Sequence, residues 1–128
     1  MKDELKIAVT NFQNAFTSLK EGIKEANGEL QKDGVIQRFE FTFELLWKTL
    51  KIFLYDEGVE CNSPKNCLKK AFKLELISDE EVFLDMLIDR NSSTHIYSKE
   101  ESEEIFDRIE KVYVLQFGKV LKEFKNRI

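Results

Sequence analysis

The chain contains very few residues that would break a helix. Its 128 residues include one proline and five glycines, and these two residue types are the strongest local breaks in a helical pattern. Apolar residues recur at steps of three and four almost throughout, which is the spacing of one helix face rather than the alternation of a strand. The sequence therefore predicts an all-α fold.

Caps and apolar stripes predict about five helices. Ser63 before Pro64 is an N-cap followed by proline at the first helical position. Ser78 and Ser98 each have a glutamate three residues on, which is the pattern of a capping box. The predicted helices cover residues 5–25, 35–57, 64–76, 79 to about 91, and 99 onwards. Short connections favour an antiparallel up-and-down bundle, and we expect residues 1–128 to form a single domain.

The second predicted helix is apolar on two sides. One broad stripe runs from Ile36 to Leu54, while Phe41, Leu45 and Ile52 lie well away from it. A helix that packs on one side only does not need two stripes. The spare stripe therefore gives a homodimer apolar surface to bury.

Polar residues of opposite charge run between these two stripes. They are Gln37, Glu40, Glu44 and Lys48, at steps of three or four. One interpretation is a ladder of ion pairs within the helix, worth a few tenths of a kcal/mol per pair. The other is a polar wall of a groove that receives a nucleotide or a loop of a partner, and both interpretations stay open here.

The scarcity of reactive residues excludes several kinds of site. One histidine and two cysteines, Cys61 and Cys67, do not supply a structural zinc site, and neither glycine-rich phosphate-binding motif is present. No run approaches the roughly 20 apolar residues of a membrane span, and the acidic start is unlike a signal peptide. We therefore expect a cytoplasmic protein with no metal, cofactor or membrane contact. Its cysteines are expected to be free thiols, with a disulfide as the alternative.

The single histidine lies in the segment between the fourth and fifth predicted helices. Arg90, His95 and Tyr97 place a fixed cation, a group that titrates near neutrality and a phenol within eight residues. An imidazole can take the proton of a ribose 2′-hydroxyl, and a guanidinium can hold the phosphate oxygens as charge builds on them. The structural alternative is that Arg90 covers apolar surface while His95 and Tyr97 pair with backbone groups.

The motif Arg-x4-His-x-Tyr, from Arg90 to Tyr97, resembles the signature of the HEPN superfamily. The matching branch is the HepT-like one, also called nucleotidyltransferase substrate-binding proteins. The segment from Gln37 to Lys48 is similar to that branch's RFE-x-x-x-EL-x-WK pattern. Ser63–Pro64 also matches, so the resemblance spans most of the chain.

This resemblance implies a helical homodimer that works with a minimal nucleotidyltransferase. Arg90 and His95 would be the catalytic pair of a metal-independent ribonuclease, with two copies of the site meeting at a dimer cleft. In toxin–antitoxin versions the partner adds AMP to the motif tyrosine, here Tyr97. Further binding candidates are Asn91 in the motif and, in the second helix, Arg38, Glu40, Glu44 and Lys48.

The charge distribution keeps other functions open. Residues 78–110 hold eleven acidic and three basic residues, so phosphate is repelled there unless lysines elsewhere compensate across a dimer cleft. The same acidic segment could instead dock a basic patch on a partner. A ribonuclease is the leading hypothesis. A non-catalytic substrate-binding or adaptor subunit, whose motif binds a nucleotide or the partner, is the second, and a purely structural dimer is the third.

Overall fold

The computed structural model describes residues 2–93 and 98–128, and this part of the chain is helical, without a strand. Its elements are α1 (Lys2–Glu25), α2 (Glu29–Asp56), α3 (Pro64–Lys73), α4 (Glu80–Ser93), α5 (Lys99–Arg108), a π-helical turn (Ile109–Tyr113) and α6 (Val114–Arg127). The last three follow one another without a break and form one long fifth helix. The prediction of an all-α bundle of five helices is confirmed.

The second helix begins earlier than predicted. α2 starts at Glu29 with Gly28 as its N-cap, so Gly34 lies inside the helix instead of before it. The first turns are largely exposed, with Leu30 80% accessible, and they therefore carry no apolar stripe that a pattern could reveal. A glycine inside a helix costs about 1 kcal/mol relative to alanine, and burial of Val35 and Ile36 directly after it offsets that cost.

The expectation of free thiols is wrong. Cys61 and Cys67 form a disulfide with their Cα atoms 5.1 Å apart. Ser63 caps α3 and accepts a hydrogen bond from the Asn66 backbone N–H, so the first turn of α3 carries Cys67 back towards Cys61. Both cysteines are buried against Leu54. The expectation rested on cellular compartment alone and took no account of this local turn.

The core is built around a cluster of phenylalanines between α1, α2 and α6. Phe12 meets Phe117 and Phe124 edge to face, with ring centroids 6.0 and 6.2 Å apart. Phe39 stacks on Tyr113 at 5.4 Å. Edge-to-face and offset arrangements are the ones that aromatic pairs favour, and they hold α2 in the centre of the bundle.

Two threonines of α2 lie against the backbone of α1. Thr42 Oγ1 is 3.3 Å from the Ala15 carbonyl oxygen and 2.7 Å from the Arg38 carbonyl oxygen. Thr49 Oγ1 is 3.4 Å from the Ala8 carbonyl oxygen. Because small side chains allow close helix approach, α1 and α2 form a tight antiparallel pair, and the opposite side of α2 is left to form the site.

Candidate functional site

A groove of about 580 Å³ lies between α2 and the C-terminal end of α4. We call it the Arg90 groove, and its walls are Gln37, Glu40, Phe41, Glu44, Arg90 and Asn91. The fold thus brings Arg90 and Asn91 together with Glu40 and Glu44, although the two pairs are far apart in sequence. With Gln37, these are five of the nine residues singled out from the sequence.

Arg90 is held in this groove by an ion pair across the two helices. Its Nη2 donates a hydrogen bond to Glu44 Oε2, and its Nη1 donates to Asn91 Oδ1 at 3.2 Å. The side chains of Arg90 and Glu44 are 32% and 29% exposed. The guanidinium is therefore fixed in direction and still in contact with solvent.

The surroundings of Glu44 keep it ionised. Burial raises the pKa of its carboxyl, but the Trp47 indole N–H, the Arg90 guanidinium and the Lys48 ammonium together outweigh burial and lower the pKa below its ordinary value of 4.5. The Trp47 Nε1 is buried and approaches Glu44 without reaching regular hydrogen-bond geometry. Lys48 Nζ lies 3.5 Å from Glu44 Oε1, one helical turn along α2. Glu44 is consequently a charged partner for Arg90 at neutral pH.

Arg38 points away from the Arg90 groove. Its Nη1 donates to the Ser18 carbonyl oxygen of α1 at 2.7 Å, and it lines a neighbouring groove of about 710 Å³ between α1 and α2. Gln37 and Phe41 line both grooves. The structure therefore places Arg38 beside the predicted site but does not bring its guanidinium to Arg90.

Two of the predicted residues, His95 and Tyr97, lie outside the described residues. The structure does describe the residues that flank them, at the end of α4 and the start of α5. α4 extends to Ser93, and Ser98 caps α5 by accepting a hydrogen bond from the Glu101 backbone N–H at 3.1 Å. Arg90 thus lies in the last turn of the helix that leads into the motif.

The second apolar side of α2 remains largely on the surface. We call it the α2 apolar stripe, and it consists of Phe41, Leu45, Ile52 and Tyr55. Phe41 is 61% and Tyr55 67% exposed, while Leu45 and Ile52 are half-buried. Phe41 belongs both to this stripe and to the wall of the Arg90 groove, so a molecule that covers the stripe comes close to Arg90.

A second polar cluster, missed by the sequence analysis, lies directly behind the groove. Asp89 is 7% exposed and accepts hydrogen bonds from Arg108 Nε at 2.7 Å and Arg108 Nη2 at 2.9 Å. It also accepts one from the Tyr113 hydroxyl. The sequence did indicate that Asp89 has a partner. It falls three residues after Met86, on the buried side of α4, and a buried acid needs a partner.

Asp89 holds both of its partners in their protonated forms. Its hydrogen bonds raise the pKa of the Arg108 guanidinium above its already high ordinary value. Burial, together with the hydrogen bond to Asp89, raises the pKa of the Tyr113 hydroxyl. Both groups therefore keep donating to Asp89 over the whole physiological pH range.

Two further properties concern the described residues alone. Over residues 2–93 and 98–128, no three histidine, cysteine, aspartate or glutamate side chains come together as ligands for a metal ion. In that same part of the chain, every helix is too short or too polar to cross a membrane.

Residues 7–126 match the sequence model of a family described as nucleotidyltransferase substrate binding protein like. A Haemophilus influenzae relative named probable ribonuclease HepT is 25% identical over an alignment of 99 positions that covers 73% of this chain and 67% of the relative.

Two solved structures resemble the fold. One is a protein from Thermus thermophilus, with a TM-score of 0.76 and 30% identity, covering 91% of this chain and 97% of that one. The other, from Haemophilus influenzae, is described as the substrate binding domain of a nucleotidyltransferase. It has a TM-score of 0.73 and 20% identity, covers 91% of this chain and 98% of that one, and is similar in fold.

Proposed function

The chain belongs to the family of nucleotidyltransferase substrate-binding-like proteins, and we propose that it is the helical subunit of a two-component module with a minimal nucleotidyltransferase. Within that module we propose that it cuts RNA without a metal ion, using Arg90 and His95 at a cleft between two copies of the chain. The observation that carries this proposal is the Arg90 guanidinium, fixed by Glu44 in a solvent-exposed groove. The relative named a probable ribonuclease supports it.

His95 and Arg90 have separate roles in the proposed cleavage reaction. The ribose 2′-oxygen attacks phosphorus, the bond from phosphorus to the 5′-oxygen breaks, and a 2′,3′-cyclic phosphate forms. His95 of one copy takes the 2′-hydroxyl proton, and the protonated His95 of the second copy gives a proton to the leaving 5′-oxygen. Arg90 stabilises the charge on the phosphate oxygens. Two copies are needed because each chain has one histidine.

The α2 apolar stripe supports assembly into such a dimer. Exposed apolar residues that lie together mark interaction surfaces, and a two-fold interface uses the same patch on both copies. Phe41 connects this stripe to the Arg90 groove. A dimer whose two-fold axis passes near Phe41 would bring two Arg90 grooves next to each other, as the proposed acid–base pair requires.

The test of cleavage compares wild type with Arg90→Ala and His95→Ala on total RNA in EDTA, with the fragment ends mapped. We expect wild type to leave cyclic phosphate ends and both variants to be inactive. Arg127→Ala is the matched control, since that arginine binds the Leu74 and Glu75 carbonyls far from the groove. Intact RNA with dimeric, unmodified wild type, or cleavage that persists in both variants, would contradict the proposal.

Tyr97 is proposed as the site where the partner regulates the activity. Its phenol oxygen attacks the α-phosphate of ATP, a bond to AMP forms and pyrophosphate leaves. Incubation with the partner and ATP should add the mass of one AMP to wild type and none to Tyr97→Phe. Equal modification of both proteins would place the acceptor elsewhere.

A second function, binding a nucleotide without cleavage, is favoured by a different observation. Glu40 and Glu44 line the groove with Arg90, and carboxylates accept hydrogen bonds from ribose hydroxyls and base amino groups, whereas they repel a phosphate chain. The volume of about 580 Å³ falls within the range of small-molecule sites. Calorimetric titration with ATP and AMP, compared with the Arg90→Ala variant, distinguishes this function when cleavage is absent.

A further inference from the structure

Asp89 directly precedes Arg90 in the chain and is buried together with Tyr113, while Arg108, whose side chain is 42% exposed, binds Asp89 from the surface. Asp89 accepts three hydrogen bonds, two from Arg108 and one from Tyr113. Tyr113 is 2% exposed, and its ring stacks on Phe39 of α2 at 5.4 Å. The last turn of α4 is therefore tied through Asp89 to the fifth helix and, through the Tyr113 ring, to α2.

The π-helical turn makes this cluster possible. In a regular α-helix, residues five apart point in directions about 140° apart, so Arg108 and Tyr113 would not face the same group. The turn over Ile109–Tyr113 has a hydrogen bond from the Val114 N–H to the Ile109 carbonyl oxygen, five residues back. This repeat brings residues five apart onto one side. Arg108 and Tyr113 consequently both reach Asp89.

Stability alone does not account for such a cluster. Burying the Asp89 carboxylate removes it from water at a large cost, and an apolar residue of similar size often stabilises a core equally well or better. Apolar packing, however, does not hold a polar side chain in one orientation. A doubly hydrogen-bonded arginine and a tyrosine hydroxyl fix the position of a carboxylate in a way that dispersion contacts do not.

We propose that Arg108 and Tyr113 are positioning residues for the Arg90 site. By holding Asp89 they fix the last turn of α4, and so they set the direction from which the Arg90 guanidinium meets Glu44 and enters the groove. This inference rests on the proposed function to the extent that Arg90 is the group that acts on phosphate. By this inference the fifth helix, which lines no part of the groove, helps to orient the catalytic group.

The expected consequence follows from the location of Arg90 at a helix end. The last turn of a helix has unsatisfied carbonyls and frays unless other contacts hold it. A displacement of about 1 Å in a catalytic group can lower a rate by about a hundredfold. Loss of the anchor should therefore lower the rate of cleavage while the rest of the fold remains intact.

The variant Tyr113→Phe tests this directly, because it removes the hydroxyl that binds Asp89 and keeps the ring that stacks on Phe39. The matched control is Val120→Ala in α6, which removes buried apolar atoms from the same long helix and contacts neither Asp89 nor the groove. Two measurements are made on wild type and both variants, at a temperature where all are folded. They are cleavage kinetics on an RNA oligonucleotide, and the NMR signal and hydrogen exchange of the Arg90 Nε–H in ¹⁵N-labelled protein.

For Tyr113→Phe we expect kcat to fall about ten- to a hundredfold with KM within about twofold, and the Arg90 Nε–H signal to shift and exchange faster. Val120→Ala should resemble wild type in both. An unchanged Arg90 signal in Tyr113→Phe, or equal changes in Val120→Ala, would overturn the inference while the cleavage proposal stands. If wild type itself fails to cut, the cleavage proposal falls, and the Arg90 signal still decides whether Tyr113 positions this residue.

Discussion

Asp89 and Arg90 are neighbours on the same turn of α4, and they lie in opposite environments. Asp89 is buried with its carboxylate bound by Arg108 and Tyr113, whereas Arg90 is about one third exposed and pairs with Glu44 at the edge of a groove. Both make an ion pair across helices. The two arginines are similarly exposed, 42% for Arg108 and 32% for Arg90, so the difference lies in the acids, which are 10% exposed for Asp89 and 29% for Glu44. Burial of the acid, rather than the presence of a salt bridge, therefore separates the structural pair from the pair at the edge of the groove.

The largest expected effect is on the buried side. Asp89→Ala leaves the buried Tyr113 hydroxyl without its partner, while Arg108, whose side chain is 42% exposed, can turn to water, and we expect it to lower the free energy of unfolding by about 1–3 kcal/mol. Urea unfolding monitored by circular dichroism measures this. Asp85→Ala, an exposed acid on the same helix, should change stability by no more than about 0.5 kcal/mol. Equal effects of the two substitutions would remove the distinction between the two pairs.

The corresponding change on the groove side is expected to cost far less stability. Arg90→Ala breaks a partly exposed pair, so the free energy of unfolding should fall by at most about 1 kcal/mol, although cleavage should be lost. Arg108→Ala provides the comparison and should approach the cost of Asp89→Ala, because it leaves Asp89 buried and charged. A large loss of stability from Arg90→Ala would show that this pair is also structural.

Salt should separate the two pairs in variants that leave the Asp89–Arg108 ion pair itself in place. In 1 M NaCl the Debye length is about 3 Å, so exposed pairs are screened while buried ones are not. The stability difference between wild type and Glu44→Gln, of at most about 1 kcal/mol at low salt, should shrink towards zero. The difference between wild type and Tyr113→Phe should persist. Parallel responses of the two variants to salt would contradict this separation.

The smallest expected effect is an acid-dependent loss of stability from Glu44. Its folded-state pKa lies below the ordinary value of 4.5, so its contribution is fully present above that value and is lost as the pH falls through the lowered one. Between about pH 5 and pH 3, wild type should lose a few tenths of a kcal/mol more than Glu44→Gln. Thermal unfolding across this interval measures it, and identical acid profiles would show that Glu44 is not engaged.

The sequence contained enough to predict the helices and part of the site. Capping residues predicted the starts of α3 and α5 because a cap acts within one turn of its own helix. Helical spacing placed Glu40 and Glu44 on one face of α2 and left open whether they form ion pairs along the helix or the wall of a groove. Both line the Arg90 groove, and Glu44 also pairs with Lys48. A local pattern was sufficient for the helix starts and for this face, but not for its role.

Other features depended on contacts between distant segments. Arg38 belongs to the same helical segment as Glu44, yet its long side chain turns to the Ser18 carbonyl of α1, which spacing along one helix does not reveal. The π-helical turn has no sequence signature of its own. The Asp89 cluster needs that turn together with a pairing across 19 and 24 residues, so it became visible only in three dimensions.

The threonine contacts between α1 and α2 have a consequence for the order of folding. Thr42 contacts Ala15 and Thr49 contacts Ala8. Seven residues forward along α2 therefore correspond to seven residues back along α1, as expected for an antiparallel pair. The Thr42 and Thr49 contacts join residues 27 and 41 apart across a connection of three residues, 26–28, and contacts of shorter separation form sooner. The Arg90 groove instead joins residues 46 apart. We therefore expect the α1–α2 hairpin to form first on the nascent chain. α4 then packs against α2 and completes the groove last.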